Sequence, residues 1–366
     1  MQRTESIFLA TAVIKMKFTL LFIVFSSFFS CIFSQDIHFS QYYNLPLVVN
    51  PALTGAFNGD QRVSLNFKDQ WKNVGTPYRT YALSFDMGLM KKKWEKSFLG
   101  AGLLVYKDVA GNAKLGTTQI SLSVSSFVSL GENQKISAGL QGGFVQKSLL
   151  AQNQSWDSQY DPSKTNGWNS SLSSNEINTS YNKINLGDLS GGLQWTYSLG
   201  DATLSSNDKK SLNAGVAFHH ITRPEQNFSS SGAMDKMYSK IAAHAGAFIG
   251  IKNFHIAVLP SFLFLMQGPS REINFGTLIR YTIKEESRFT GIFKETAVAV
   301  GGYARAKDAF VPAMQIEYAN YAIGLSYDVN TSPLRSATKG NGGIEISLRY
   351  INPNPFKGSK ATVRFL

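Results

Sequence analysis

Apolar and polar side chains alternate one for one through about fourteen short segments between residues 62 and 350. Segment 321–328 is the clearest. Tyr321, Ile323, Leu325 and Tyr327 fall on one face, and Ala322, Gly324, Ser326 and Asp328 fall on the other. A period of two is the signature of an extended strand. Just upstream, Phe310, Pro312, Met314, Ile316 and Tyr318 alternate with Val311, Ala313, Gln315 and Glu317. Only Ala319 and Asn320 separate the two runs, which makes them a hairpin. The last run sets Ile344, Ile346, Leu348 and Tyr350 against Gly343, Glu345, Ser347 and Arg349. Ionic groups thus share a face with glycine and serine, as in a wall with hydrocarbon outside and water inside. The same alternation runs through 62–71, 80–87, 99–106 and 120–130, and more weakly through 136–145, 186–199, 212–221, 241–251, 255–266, 273–282 and 297–303. An even count returns the chain to its starting side. The pattern predicts an all-β fold, a transmembrane antiparallel β-barrel of about fourteen strands.

The connections give a second rhythm. The tightest, 131–133, 252–253 and 319–320, follow the fourth, eighth and twelfth segments, whereas the longest, 148–185, 222–238 and 329–341, follow the fifth, seventh and thirteenth. This parity predicts short turns on the periplasmic side and long loops outside, with the chain starting on the periplasmic side.

Targeting agrees with this destination. Lys15 and Lys17 precede an apolar run over 18–33 that ends among small or polar residues before Gln35, as a secretory signal peptide does, with Met16 as a candidate start. The run is shorter than the roughly 20 residues of a spanning helix. The expected organisation is a signal peptide over 1–34, a periplasmic or plug segment over 35–59, the barrel over 60–350 and a periplasmic tail over 351–366. The one cysteine, Cys31, falls in the segment to be removed, so the mature chain carries no thiol for disulfides or catalysis. The net charge of +12 is scattered over loops and strand ends, which suits anionic lipid head groups and offers no stripe for nucleic acid. Aromatic residues make up 13% of the chain. Trp71, Tyr106, Tyr303, Tyr318, Tyr327 and Tyr350 stand near predicted strand ends, where interfacial girdles form.

The stretch 35–59 has little alternation and contains Pro46 and Pro51. It reads His38-Phe39-Ser40-Gln41, then Asn50-Pro51-Ala52-Leu53-Thr54-Gly55. With Arg62, Gln70-Trp71, Thr76-Pro77-Tyr78, Ser84-Phe85-Asp86, Asp108-Val109-Ala110-Gly111, Gly139-Leu140-Gln141, His220-Ile221-Thr222-Arg223-Pro224, Pro260-Ser261 and the blocks beginning at Gly324 and Gly343, it strongly resembles the PorP/SprF family of Bacteroidetes. These are outer-membrane proteins associated with the type IX secretion system. The resemblance implies a role in gliding motility or protein secretion, with no cofactor and no catalysis. Its partners would be a secreted adhesin-like surface protein and other secretion or motility components, with outer-membrane lipid around the barrel.

Candidate residues follow from both readings. A barrel of this size has a lumen that needs partial occlusion. The apolar residues Phe39, Leu45, Leu47, Val48 and Val49 of the 35–59 segment need cover, so a plug against or into the periplasmic mouth is expected, with an ordered lead-in to the first strand as the plainer alternative. Arg62, Lys68, Asp86, Glu317, Asp328, Glu345 and Arg349 are expected to face the lumen, as a paired ionic lining or, more sharply, as a selective filter. Trp156, Tyr160 and Trp168, in a Ser- and Asn-rich loop, suit a partner-binding surface. His219 and His220 are adjacent and are expected on opposite faces of a strand. His244 and His255 show no carboxylate at ligand spacing, so a metal site is not expected. The competing classes are a channel for small hydrophobic molecules, which requires an apolar lumen path, and an outer-membrane hydrolase, which requires converging serine and histidine.

Overall fold

The computed structural model describes residues 36–91, 97–111, 113–149, 157–165, 167–169, 171–173, 182–199, 210–226, 236–285, 294–333 and 335–352. The signal segment, Trp156 and the tail beyond residue 352 lie outside them. Ile37 onward forms one compact unit. It contains fourteen strands: β1 (Gln61–Gln70), β2 (Tyr78–Leu89), β3 (Ser97–Ala110), β4 (Leu115–Ser129), β5 (Gln134–Leu149), β6 (Asn182–Leu199), β7 (Lys210–His219), β8 (Lys240–Gly250), β9 (Ile256–Gln267), β10 (Ser270–Lys284), β11 (Thr296–Arg305), β12 (Ala309–Tyr318), β13 (Tyr321–Asn330) and β14 (Asn341–Asn352). Each pairs antiparallel with its neighbours in sequence, and β1 pairs with β14 to close the barrel. Closure matters because a sheet edge in hydrocarbon would leave unpaired N–H and C=O groups, each costing several kcal/mol.

The alternating segments of the sequence are these strands. In β4, Ile120, Leu122 and Val124 are exposed outward, while Ser121, Ser123 and Ser125 are buried inward. In β13, Tyr321, Ile323, Leu325 and Tyr327 face out, and Ala322, Ser326 and Asp328 face in. Small inward residues let the wall approach whatever fills the lumen.

Three expectations change. Tight turns are not confined to one side, because residues 268–269 after β9 are as short as 319–320 after β12, and 306–308 after β11 is only one residue longer. Left-handed backbone makes these reversals, at Gly268 (φ 56), Lys307 (φ 61) and Ala319 (φ 52). The two longest connections, 150–181 and 220–239, do follow odd-numbered strands, but 285–295 after β10 is longer than 331–340 after β13, and 200–209 after β6 equals it. Second, Tyr106 and Tyr303 lie within β3 and β11 and are buried in the interior. Rim aromatics are instead Trp71 against Tyr78 (4.9 Å) at one end and Tyr321 against Tyr350 (4.9 Å) at the other. Third, β14 continues past Tyr350, with Ile351 opposite Arg62 and Asn352 opposite Gln61, so the tail begins two residues later than the sequence indicates.

A lipid-facing cation should be costly in proportion to depth. Leu122→Arg, at the middle of β4, is expected to destabilise the barrel by about 2–4 kcal/mol, and Leu130→Arg, just past its end, by about 0–1 kcal/mol. Urea titration of the barrel refolded into lipid bilayers measures both.

Candidate functional site

The lumen is occupied by the chain's own residues 37–59. The two prolines and the lack of alternation keep this stretch out of the sheet. It folds into a 3-10 turn at Tyr42–Asn44, one helical turn at Pro46–Val49 and a second 3-10 turn at Pro51–Leu53. Leu45, Leu47, Asn50, Ala52 and Thr54 are fully buried.

Contacts along the segment descend the barrel. His38 and Ser40 lie near the mouth where the odd-numbered strands end. The His38 carbonyl accepts from Lys68 Nζ (3.3 Å), and Ser40 Oγ donates to Asp328 Oδ1 (2.6 Å). The backbone N–H groups of Ser40 and Gln41 both donate to the Glu345 carboxylate (2.8 and 2.9 Å), and Gln41 Nε2 donates to the Glu345 carbonyl. Phe39, Leu45 and Leu47 pack with Ala82, Leu104 and Tyr106. Midway, Asn50 Nδ2 donates to the Leu193 carbonyl (3.0 Å) and lies 3.1 Å from His244 Nε2, while its Oδ1 accepts from the Ala52 N–H. Ser137 and Ser125 donate to the carbonyls of Ala52 and Thr54. At the far mouth the Gly55 N–H donates to Asp86 Oδ2 (2.7 Å). Gly55 has φ +76, and an added Cβ would meet the Met87 carbonyl at 3.0 Å. The segment therefore traverses the lumen from the odd-strand end to the start of β1, rather than capping one mouth.

The wall is shaped for it. A Cβ at Gly139 would stand 2.4 Å from Pro51 and Ala52 backbone atoms, and one at Gly100 would stand 2.2 Å from the Thr54 carbonyl oxygen. Such contacts with backbone cannot be relieved by a rotamer change.

The inward charges serve this packing. Arg62 and Asp86 face each other in register on β1 and β2 and form a bidentate pair (2.9 and 2.7 Å), and Arg62 also reaches the Leu53 carbonyl. Lys68 lies 3.4 Å from Asp328 and 4.0 Å from Glu345. Arg349 donates to Asn44 Oδ1 (3.2 Å). Glu317 pairs with Arg280 (2.9 Å) rather than lying beside Glu345. Two cations that the sequence reading did not single out complete the network: Arg280, and Arg305, which donates to Asp328 (2.8 Å). Their alternation with outward Ile279 and Ala304 was the available signal.

The histidines depart from expectation. β7 stops at His219, and His220 takes φ 55, so the two rings do not point to opposite faces. Both are buried, His219 against the Val49 carbonyl (3.1 Å) and His220 against Asp188 (3.0 Å). His255 does have a carboxylate neighbour, Glu285 at 3.4 Å, on the exposed surface. Among the described residues, no three His, Cys, Asp or Glu side chains converge as a metal site.

In the connection after β5, Tyr160 and Trp168 form an antiparallel bridge with their rings edge to face at 5.7 Å. Asp161 accepts from the Ser163 hydroxyl and N–H and from Asn169, and these bonds hold its carboxyl below the usual range. The pair is half exposed on a turn that is locally braced.

Two outcomes follow. With cysteine at Ala52 as reporter, maleimide labelling should be slow, and Glu345→Ala should speed it at least tenfold because four anchoring bonds to the segment and Asn66 lose their acceptor group or its support; Glu345→Gln, which keeps the acceptor oxygen, should fall between. Asp86→Ala leaves buried Arg62 unpaired and should cost about 3–5 kcal/mol, seen as a lower urea midpoint.

No curated protein matches this chain in sequence. Among solved structures, the chain is similar to the CymD monoaromatic hydrocarbon channel (12% identity, 85% of this chain and 93% of that one, TM-score 0.43). It is also similar to the toluene transporter TodX of Pseudomonas putida (12%, 88% and 99%, 0.43) and to BamA of Haemophilus ducreyi lacking POTRA domains 1–3 (8%, 80% and 70%, 0.41). At such identities and scores, nothing about function passes from them to this chain. The family model for the type IX secretion system membrane protein PorP/SprF matches residues 32–350, the lumen segment and all of the barrel but the last two residues of β14. The protein is accordingly an outer-membrane β-barrel that belongs to the PorP/SprF family of type IX secretion system membrane proteins.

Proposed function

We propose that this barrel is a non-catalytic accessory of type IX secretion that supports export or surface anchoring of a secreted adhesin-like protein. The observation that carries the reading is the filled lumen. A conduit needs a path, whereas residues 37–59 run the length of this one and are tied to the wall at Glu345, Asp328, Leu193 and Asp86. With this segment crossing the interior from end to end, the surfaces left for a large partner are the mouths and the loops. The odd-strand side bears the two longest connections, 150–181 and 220–239, and would face outward, with the start of β1 toward the periplasm. Loops of that kind carry partner choice.

The alternative of a channel for small hydrophobic molecules meets a charged interior. Lys68, Arg305, Asp328 and Glu345 are all buried there, and an apolar solute would pass them without replacing any of their bonds.

Tyr160 and Trp168 are the aromatic anchors such a loop would offer. Affinity purification of the full-length barrel from its native membranes, with bound proteins identified by mass spectrometry, should recover a large secreted surface protein. Tyr160→Ala with Trp168→Ala should reduce that recovery at least fivefold while leaving barrel abundance unchanged. Equal recovery from wild type and double variant would remove the loop from the proposal, and the absence of any secreted protein from wild type would overturn it.

A further inference from the structure

A cavity of about 810 Å³ opens at the mouth where the even-numbered strands end, beside the start of β1, and reaches the middle of the lumen. Its lining changes character along its length. At the mouth, Phe98 and Phe127 stack in parallel at 4.1 Å, and two lysines address the Phe98 ring, Lys91 Nζ at 5.1 Å and Lys135 Nζ at 5.7 Å from its centroid. Lys91 is steadied by the carbonyls of Phe57 (3.0 Å) and Gly59 (2.8 Å). Along the β6–β7 wall the lining turns to amides and hydroxyls: Gln194, Thr196, Ser198, Ser211 and Asn213. Buried Gln194 keeps its Oε1 without a hydrogen-bond partner among the described residues. Phe248, opposite Ser211 in the sheet, and Leu259 add apolar surface beside that wall, and the inner end is closed by Tyr42 and Tyr303, their rings edge to face at 6.0 Å.

We propose that this cavity binds a short extended peptide segment, with a carboxylate held by Lys91 and Lys135 at the mouth, backbone amides along the β6–β7 wall and an apolar side chain at the inner tyrosines. The volume falls in the range of sites that enclose a small ligand. The order of the lining selects the class. An acyl carboxylate would satisfy the lysines and the inner end, but it would desolvate the amide wall with no hydrogen bonds in return. A peptide supplies donors and acceptors there, and a rotation of the Gln194 amide presents its free oxygen to an incoming N–H. Cations held over an aromatic face keep their charge directed outward toward an anion.

The pH response has a defined sign. Burial, with Arg62 and then Lys135 beside it, lowers the Lys91 ammonium to about 8, against the opposing pull of Asp86 and Asp60; Glu132 also lines this mouth. Lys91 therefore sheds its proton as pH rises through 8, and affinity for a carboxylate should fall with it.

The test is calorimetric titration of the full-length barrel in a non-ionic detergent. The probe is an N-acetylated hexapeptide of two phenylalanines, three serines and a terminal alanine bearing a free carboxylate. Its C-terminal amide and dodecanoate are the comparison ligands. The free carboxylate should bind at pH 7, at least tenfold more tightly than the amide, and about fivefold more weakly at pH 9. Lys91→Gln with Lys135→Gln should abolish the preference for carboxylate over amide. Ser211→Leu with Asn213→Leu should weaken the peptide at least fivefold and leave dodecanoate unchanged. Retention of a heat-modifiable band on gels shows that each variant is folded. Equal binding of carboxylate and amide, tighter binding of dodecanoate than of the peptide, or no binding of any of the three overturns the proposal. The site is separate from Tyr160 and Trp168, so its failure leaves capture of a surface protein through that loop untouched.

Discussion

Two buried carboxylates, Asp328 and Glu345, organise the interior. A carboxylate removed from water requires either a cation or several donors. Asp328 receives Arg305, Lys68 and the Ser40 hydroxyl, and Glu345 receives two backbone N–H groups of the lumen segment together with Asn66 and Lys68. These bonds join strands β13, β14, β1 and β11 to a stretch that belongs to no strand. If those acids were apolar, the segment would lose its register at the odd-strand mouth, and the hydroxyl and amide contacts deeper in the lumen would have nothing to align them.

The barrel wall was legible because hydrocarbon imposes a rule on every second residue, and each alternating run corresponds to a strand. What periodicity does not report is contact between distant parts of the chain. The Ser40–Glu345 bond spans 305 positions, and no local pattern anticipates it. The same holds for Arg349, whose guanidinium bonds Asn44, 305 positions away in the chain. Turn parity was only half a rule, because a left-handed residue such as Gly268 makes a two-residue reversal on either side of the membrane. Tyr106 and Tyr303 misled for a related reason. Near the end of an apparent segment an aromatic looks interfacial, but the strands run further than their alternation, and both rings fall on the inward parity, with Tyr303 stacking on Tyr43 at 5.4 Å. The family blocks His38 to Gln41 and Asn50 to Gly55 were conspicuous in the sequence, whereas their path through the lumen was not, since an irregular segment carries no period to read.

The cavity and the ionic network divide the interior between them. Toward the odd-strand mouth the buried acids Asp328 and Glu345 are matched by Arg305, Lys68 and the lumen segment. Toward the even-strand mouth the lining retains amides and hydroxyls around open volume, with cations braced on aromatic rings. The charged pairs hold one end of the barrel, and the open volume lies toward the other.

The seam between the first and last strands gains a particular meaning from this arrangement. Lys68 and Glu345 stand opposite each other across it, and Ser40 and Gln41 fasten to Glu345 from within. The segment before β1 is thereby the pin of a clasp that is complete only once β14 has paired with β1. Closure of the wall and locking of the interior become one event, and a half-assembled cylinder lacks the acid that holds the pin.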